Sequence, residues 1–406
     1  MKSLRADGRL SFVVLLVSQL AATMGFTFVL PFTPIYVQAL GVEDAGDAAA
    51  WAGVINSSTA VTMALAAPLW GKLGDRVGLK PMLLRATVAG SVVVGLMGLV
   101  GSPWQLLALK TLQGCLTGTV AAATVLVSAT APPERAGARL GTLQMVIFVA
   151  AAAGPFFGGA FTDLVGIRAS FGVTATLLAT SAVLISIWVK EKRPAGEETE
   201  DLEAAEAEGP LPYRRLAPSL LALFVVQMAI MSAAPALPGL LSTLMGEPVR
   251  VATLAGWVIA TGALAASLGS MVGGKLAARF GARKVIICTL LLAGISALPQ
   301  AEVDSVAMLW ALRLLTGLFV GTAIPVANVA VRDSVYPGRQ GEAFGVAGTA
   351  TSTGNAVGPL AGGLLAASFG FGAPFLVPGI CLIAVSAIIW GAPLLAVGYR
   401  SALRDH

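Results

Sequence analysis

Two cations stand where cations are costly. Lys110 and Arg313 each fall well inside a long apolar run, where burying a charge in a bilayer costs about a few kcal/mol or more and is tolerated mainly for function. A fixed positive charge there would attract an anionic or polarisable solute into a cavity. A lysine can also release its proton when desolvated, which an arginine effectively cannot do. The competing reading of Lys110 is a side chain that snorkels to the nearest interface. No carboxylate balances either cation, because the 21 acidic residues all map to loops, termini or the ends of apolar runs, and the sole histidine is His406. Asp163, at the end of a run, and Lys110 itself are the remaining candidates for carrying protons.

Uncharged polar and soft residues inside apolar runs mark the candidate cavity lining: Gln19, Asn56, Gln113, Gln144, Gln227 and Asn355, with Phe148, Met228 and Trp257 as an adaptable apolar wall beside Met145 and Met231. A glutamine within an apolar helix serves equally well as interhelical glue, so both roles stay open. No metal-ligand spacing, Gly-Lys-Ser/Thr phosphate loop or nucleophile elbow occurs. The expectation is therefore no enzyme, no cofactor, no metal and no direct use of ATP.

The elements that must position these residues follow from composition. The 406 residues are 56% hydrophobic and 12% charged, with mean hydropathy +0.84, far too apolar for a soluble domain. Runs of about 20 apolar residues, each able to cross a hydrocarbon core, fall at 12–38, 51–73, 81–101, 104–127, 139–161 and 168–189, then at 217–243, 252–276, 283–300, 306–330, 344–367 and 373–397. The fold class predicted is an all-α integral membrane protein of twelve transmembrane helices. Lys and Arg alternate strongly between the two sides: 22 of the 26 lie at the termini or in every second connection, including Lys2, Lys80, Arg139, Arg215, Lys284 and Arg339. Arg168 and Arg250 lie on the other side. The positive-inside rule then places both termini in the cytoplasm of a multi-pass plasma-membrane protein. The basic residues form no single patch, so nucleic acid is not an expected partner. Cys115, Cys288 and Cys381 sit in apolar runs and predict no disulfide.

The chain repeats itself. GKLGDRVGLK at Gly71 returns as GKLAARFGARK at Gly274, and ALKTLQGCLTGT around Lys110 returns as ALRLLTGLFVGT around Arg313, both offset by 203. PERAGARLG at Pro133 matches PGRQGEAFG at Pro337, and AGPFFGG at Ala153 matches VGPLAGG at Val357, both offset by 204. Four blocks in order, spaced within one residue of each other, predict two pseudo-symmetric six-helix bundles, residues 1–189 and 217–406. Between them, 190–216 is polar and acidic and reads as a cytoplasmic linker.

The stretch Gly71–Pro81 is expected to make a tight Gly-punctuated turn at the membrane surface. Its Gly, Asp-Arg, Gly and basic residue resemble the loop between helices two and three of the major facilitator superfamily. Within that family GPFFGG (Gly154, Pro155, Gly158, Gly159) resembles the helix-five motif of drug:proton antiporters, and LPFTPIYVQALGV from Leu30 resembles bacterial multidrug exporters. The resemblance covers nearly the whole chain and implies a monomeric secondary transporter. It would export small amphipathic or anionic compounds by alternating access in exchange for protons. It implies that Gly71, Asp75, Arg76, Gly78 and Lys80, with Arg279 as repeat mate, form a conformational gate. Ala278 stands where the second copy would carry its aspartate. The family's Arg-x-x-Gln-Gly pattern appears as Lys110-x-x-Gln113-Gly114, so lysine replaces arginine. Exchange of one specific metabolite, such as a sugar or organic anion, and a non-transporting sensor or scaffold remain alternatives.

Overall fold

The computed structural model describes residues 2–130, 133–189, 211–246, 250–335 and 339–391. The acidic stretch that dominates the expected linker, Glu247 and both chain ends beyond these limits, His406 included, lie outside the described residues, as do the side chains of Lys72 and Asp75. Every regular element among the described residues is helical.

In the first half, α1 (Lys2–Val29) continues through a 3-10 turn into α2 (Thr33–Ala39), followed by α3 (Ala45–Val77) and α4 (Leu79–Met97). Next come α5 (Pro103–Leu116), α6 (Thr119–Thr130), α7 (Pro133–Val165) and α8 (Ile167–Trp188). The second half has α9 (Tyr213–Ser232), α10 (Leu237–Met245), α11 (Val251–Phe280), α12 (Ala282–Ala297), α13 (Val306–Asp333), α14 (Gln340–Phe369) and α15 (Ala373–Gly391). Ten spans are long and apolar enough to cross a membrane. Two more complete the twelve. One is span four, broken into α5 and α6; the other is α14, whose Gly, Ser, Thr and Asn lower its hydropathy. Each half is a six-helix bundle, and the two together make an all-helical membrane fold.

The connections between long helices are shorter than the sequence suggests. Instead of a turn from Gly71 to Pro81, α3 stays helical through Val77 and the chain reverses at Gly78 alone, at φ 108 and ψ 158, with its N–H closing on the Gly74 carbonyl. Helix-forming Lys72, Leu73 and Arg76 extend the helix past the apolar run, and only glycine occupies this conformation without strain. Gly281, 203 residues on, repeats it between α11 and α12 at φ 87 and ψ 138. Alanine at Gly78 or Gly281 should each cost about 1–3 kcal/mol, read as a lowered unfolding temperature in detergent. In separate halves, the two costs should add.

A second repeated pair locks each half. Lys80 on α4 donates from Nζ to the Ser186 carbonyl at 2.9 Å, and Arg283 on α12 donates to the Ile389 carbonyl at 2.7 Å. Each basic side chain thereby satisfies an orphan carbonyl at the C-terminal end of the last helix of its own bundle.

Candidate functional site

The two halves meet along two seams, α3 against α14 and α7 against α11. Both seams use backbone approach at glycine. A methyl group at Gly53 would overlap the Pro359 carbonyl, and one at Gly363 the Ala49 carbonyl; at the other seam Gly256 faces the Pro155 carbonyl and Gly159 the Ala252 carbonyl. These positions are repeat mates, so the GPFFGG and GPLAGG motifs do the same work in each half. Their first and fifth residues, Gly154 and Gly158, lie against Met24, Thr27 and Phe28 of α1, while Gly358 and Gly362 lie against Met228, Met231 and Ser232 of α9. Each motif thus holds the first span of its own half with two glycines and the opposite half with the last glycine and the proline carbonyl.

Both seams occupy the end of the bundle far from the chain termini. Followed toward the terminal face, the same four helix faces separate. On α7, Gly159 and Pro155 touch α11, but Gln144, Met145 and Phe148, further along that face at helical spacing, are exposed, and Gly141 has open space where a side chain would stand. Gly71 on α3, Met271 and Gly274 on α11, and Gly341, Gly345 and Gly348 on α14 are likewise exposed or unopposed. The halves are closed at the far face and splayed at the terminal face. Phe156 and Trp257, from opposite halves, stack at 5.7 Å with ring planes 13° apart, beside the α7–α11 seam.

Lys110 lies on α5 and is only 7% exposed, and its ammonium makes no hydrogen bond or ion pair with a described residue. Its carbonyl accepts from the Thr59 hydroxyl at 3.1 Å, and Gly114, one turn on, lets α5 press against Thr59 and Thr62 of α3. Gln113 is also buried, and its Oε1 lacks a partner. Arg313 occupies the equivalent place on α13, one turn before Gly317, which lies against Gly262 of α11. Its guanidinium stands 5.4 Å from the Phe375 ring centre, a cation–π contact. The two cations thus hold matching positions in opposite halves, each seated on its own half's second span.

Other polar residues singled out in the sequence are engaged with neighbours. Gln19 donates to the Thr23 hydroxyl at 3.2 Å within α1, and Asn56 accepts from Thr33 at 3.4 Å, tying α3 to α2. Gln227 donates to Asn355 at 2.6 Å and joins α9 to α14. Of the gate residues, Arg76 is exposed, Arg279 lies over the Phe280 ring, and Lys80 is bound within its own half as described.

Span four carries a feature that hydropathy alone does not reveal. Helix α5 ends at Leu116, Thr117 is extended and Gly118 has φ 142, whereas the matching α13 runs unbroken past Gly321. The break is braced from within α5 and from α3, which covers one of the freed carbonyls. Thr117 bonds back to Gln113 through its N–H and its hydroxyl, and the Trp70 indole N–H donates to Cys115 at 2.6 Å. Arg85 lies 3.4 Å from the Trp70 ring centre, with Nε and Nη1 buried and unpartnered. Thr-Gly in LTGT was the available sign, but the same pair recurs within longer apolar stretches without a break. Discontinuous spans near the midplane are a recurring device in secondary transporters.

Comparisons with known proteins agree with this architecture. The Major Facilitator Superfamily pattern matches residues 15–253 and 219–398. The chain is 34% identical over 352 residues to multidrug resistance protein MdtG of Proteus mirabilis (strain HI4320), covering 86% of this chain and 88% of the relative. It is 32% identical to MdtG of Enterobacter lignolyticus (strain SCF1), covering 92% and 89%. Among solved structures, a bacterial homologue of the human lysosomal transporter Spinster, in an inward-facing and occupied conformation, superposes with TM-score 0.76 at 15% identity, over 93% of this chain and 95% of that one. With its two repeated six-helix halves and its superfamily match along nearly the whole length, the chain belongs to the major facilitator superfamily, whose members are membrane transporters and not enzymes.

Proposed function

We propose that this protein is a multidrug exporter of the bacterial plasma membrane. It takes up small amphipathic or anionic compounds from the cytoplasm and releases them outside, in exchange for protons. The observation that carries this reading is the scissor arrangement: four helices sealed at the far face by glycine contacts and parted at the terminal face, along walls bearing Met145, Phe148 and Met271. Apolar, adaptable walls suit varied substrates. Similarity to MdtG over most of both chains supports export, and the distribution of Lys and Arg supports cytoplasmic termini.

The working parts then divide as follows. Residues 1–189 and 217–406 rock against each other, with 190–216 as the cytoplasmic tether. Lys110 and Arg313 supply positive potential to the cavity, beside Gln113, Gln144, Met228 and Trp257. The polar pairs Gln19–Thr23, Asn56–Thr33 and Gln227–Asn355 brace the cavity walls. Gly71, Asp75, Arg76 and Gly78, with Arg279, gate the cytoplasmic side in the opposite state, where a carboxylate near a helix N-terminus is favoured. Both seams lie within one chain, which supports a monomer as the working unit.

Accumulation of a compound panel in cells with and without the protein, repeated after collapse of the proton gradient, tests the function. Export that persists without the gradient overturns the antiport. Orientation has its own test. Single cysteines at Glu43, Arg168 and Glu302 should react with an impermeant thiol reagent added to intact cells, and one at Lys80 should not; the reverse pattern overturns the topology.

A further inference from the structure

Helix α11 begins without a cap of its own. Arg250, the residue before it, sits in the left-handed region at φ 62 and ψ 27, and its side chain makes no capping bond. A guanidinium has only donors and cannot satisfy the N–H groups of a first helical turn. Yet the third N–H of the helix is satisfied. Thr253 donates to Asp163 Oδ2 from its backbone N–H at 2.7 Å and from its hydroxyl at 2.6 Å. Asp163 belongs to α7, so the cap of α11 comes from the opposite half.

The second seam is built differently. The repeat mate of Asp163 is Ala367, which carries no acceptor side chain, and α3 is capped by its own Asp44, whose Oδ1 accepts from the Asp47 N–H at 2.8 Å. A cap carried by the same half survives any rocking of the halves. One carried across a seam exists only while that seam is closed.

From this asymmetry the geometry points to Asp163 as a latch on the far gate: a carboxylate of one half that caps a helix of the other, holds the far side shut and must let go before it opens. The latch touches no substrate. It acts on the balance between the two open states through a hydrogen-bonded cap and the favourable placement of a negative charge at a helix N-terminus. On opening, water takes the place of each partner, so the net bias is that of a helix cap rather than of a buried ion pair.

The test uses the full chain in lipid nanodiscs, where reagent reaches both faces and the readout does not depend on orientation. Ala49 is wholly buried in the second seam, so a thiol introduced by Ala49→Cys, with Cys115 and Cys288 replaced by serine, reacts with a soluble maleimide only when the far side opens. Asp163→Ala should raise that rate by about 2-fold to about 30-fold, the span that loss of a helix cap covers. Asp163→Asn should raise it less, and Thr253→Val, which removes one of the two bonds, should also raise it. The native Cys381, partly buried within the second half, should react at its parent rate. An unchanged rate at the Ala49→Cys thiol in Asp163→Ala overturns the latch, as does a rise matched at Cys381, which signals general loosening. If Asp163→Ala does not fold, Thr253→Val decides the question, and an unchanged rate there overturns it.

Discussion

Lys110→Ala is expected to lower export by about tenfold or more, equivalent to about 1.4 kcal/mol or more of lost stabilisation of the transport step, without lowering the amount of protein in the membrane. The Lys110 side chain is nearly buried, and its ammonium pairs with no acidic residue among the described ones. An uncompensated buried charge destabilises the fold that holds it. Its removal should therefore leave folding intact or improve it, so lost activity reports function. Lys110→Arg separates the two roles the ammonium could play. Fixed positive charge survives that change, and export of anionic or neutral compounds should continue. A proton released on desolvation does not survive it, because the guanidinium stays charged. Export by that variant would then lose its dependence on pH between about 6 and about 8, the interval in which perturbed lysines titrate. Parent-like export by Lys110→Ala across the same interval withdraws Lys110 from the mechanism.

Gly53→Val and Gly256→Val are expected to abolish transport by a different route. Each glycine faces a carbonyl of the opposite half, Pro359 and Pro155 respectively, so closely that even a methyl group has no room. The atoms nearest a methyl group at either position all belong to the opposite half, so each half should still fold and insert. What it blocks is closure of the far face. The protein should be trapped with that face open, giving export at the background level and a high rate at the Ala49→Cys reporter used for Asp163. Overpacking at a close contact typically costs about 1–3 kcal/mol where neighbours can yield, and more against backbone. Near-normal export by both variants would mean that the glycine seams are not the surfaces on which the halves close.

The lock of each bundle and the seal between bundles draw on opposite chemistry, which explains how one chain can be rigid and mobile at once. Within a half, side chains bond to carbonyls of the neighbouring helix, as Thr59, Thr62 and Trp70 do to α5 and Lys80 does to α8. Between halves the contact is mostly glycine and alanine backbone, bridged among the described residues by the bonds of Ser57 to the Ala356 carbonyl and of Thr253 to Asp163. Surfaces of that kind can part at low cost.

Much of this was legible without coordinates. The twelve spans follow from hydropathy because a bilayer offers backbone groups no water, leaving the helix as the only local solution to their hydrogen bonding. The two halves follow from the 203-residue repeat, and the pairing of Lys110 with Arg313 follows from the same spacing. Their depth is set by the chain alone, since rise per residue converts position into distance along the membrane normal. What lies around a helix is another matter. Whether Gln227 faces a cavity or Asn355 depends on which helix stands beside it, and the periodicity of an apolar span barely marks a face because lipid and protein neighbours are equally apolar. Gly78 replaced an expected eleven-residue turn because polar helix formers continue a helix into water as readily as they leave one. The break at Thr117–Gly118, the carbonyl that Trp70 covers, and the cap that Asp163 lends to the opposite half were decided only by tertiary structure. The last two join residues far apart in the chain, and a hydrogen bond across helices depends on the azimuth and depth of two separate elements, which the order of residues along either one does not contain.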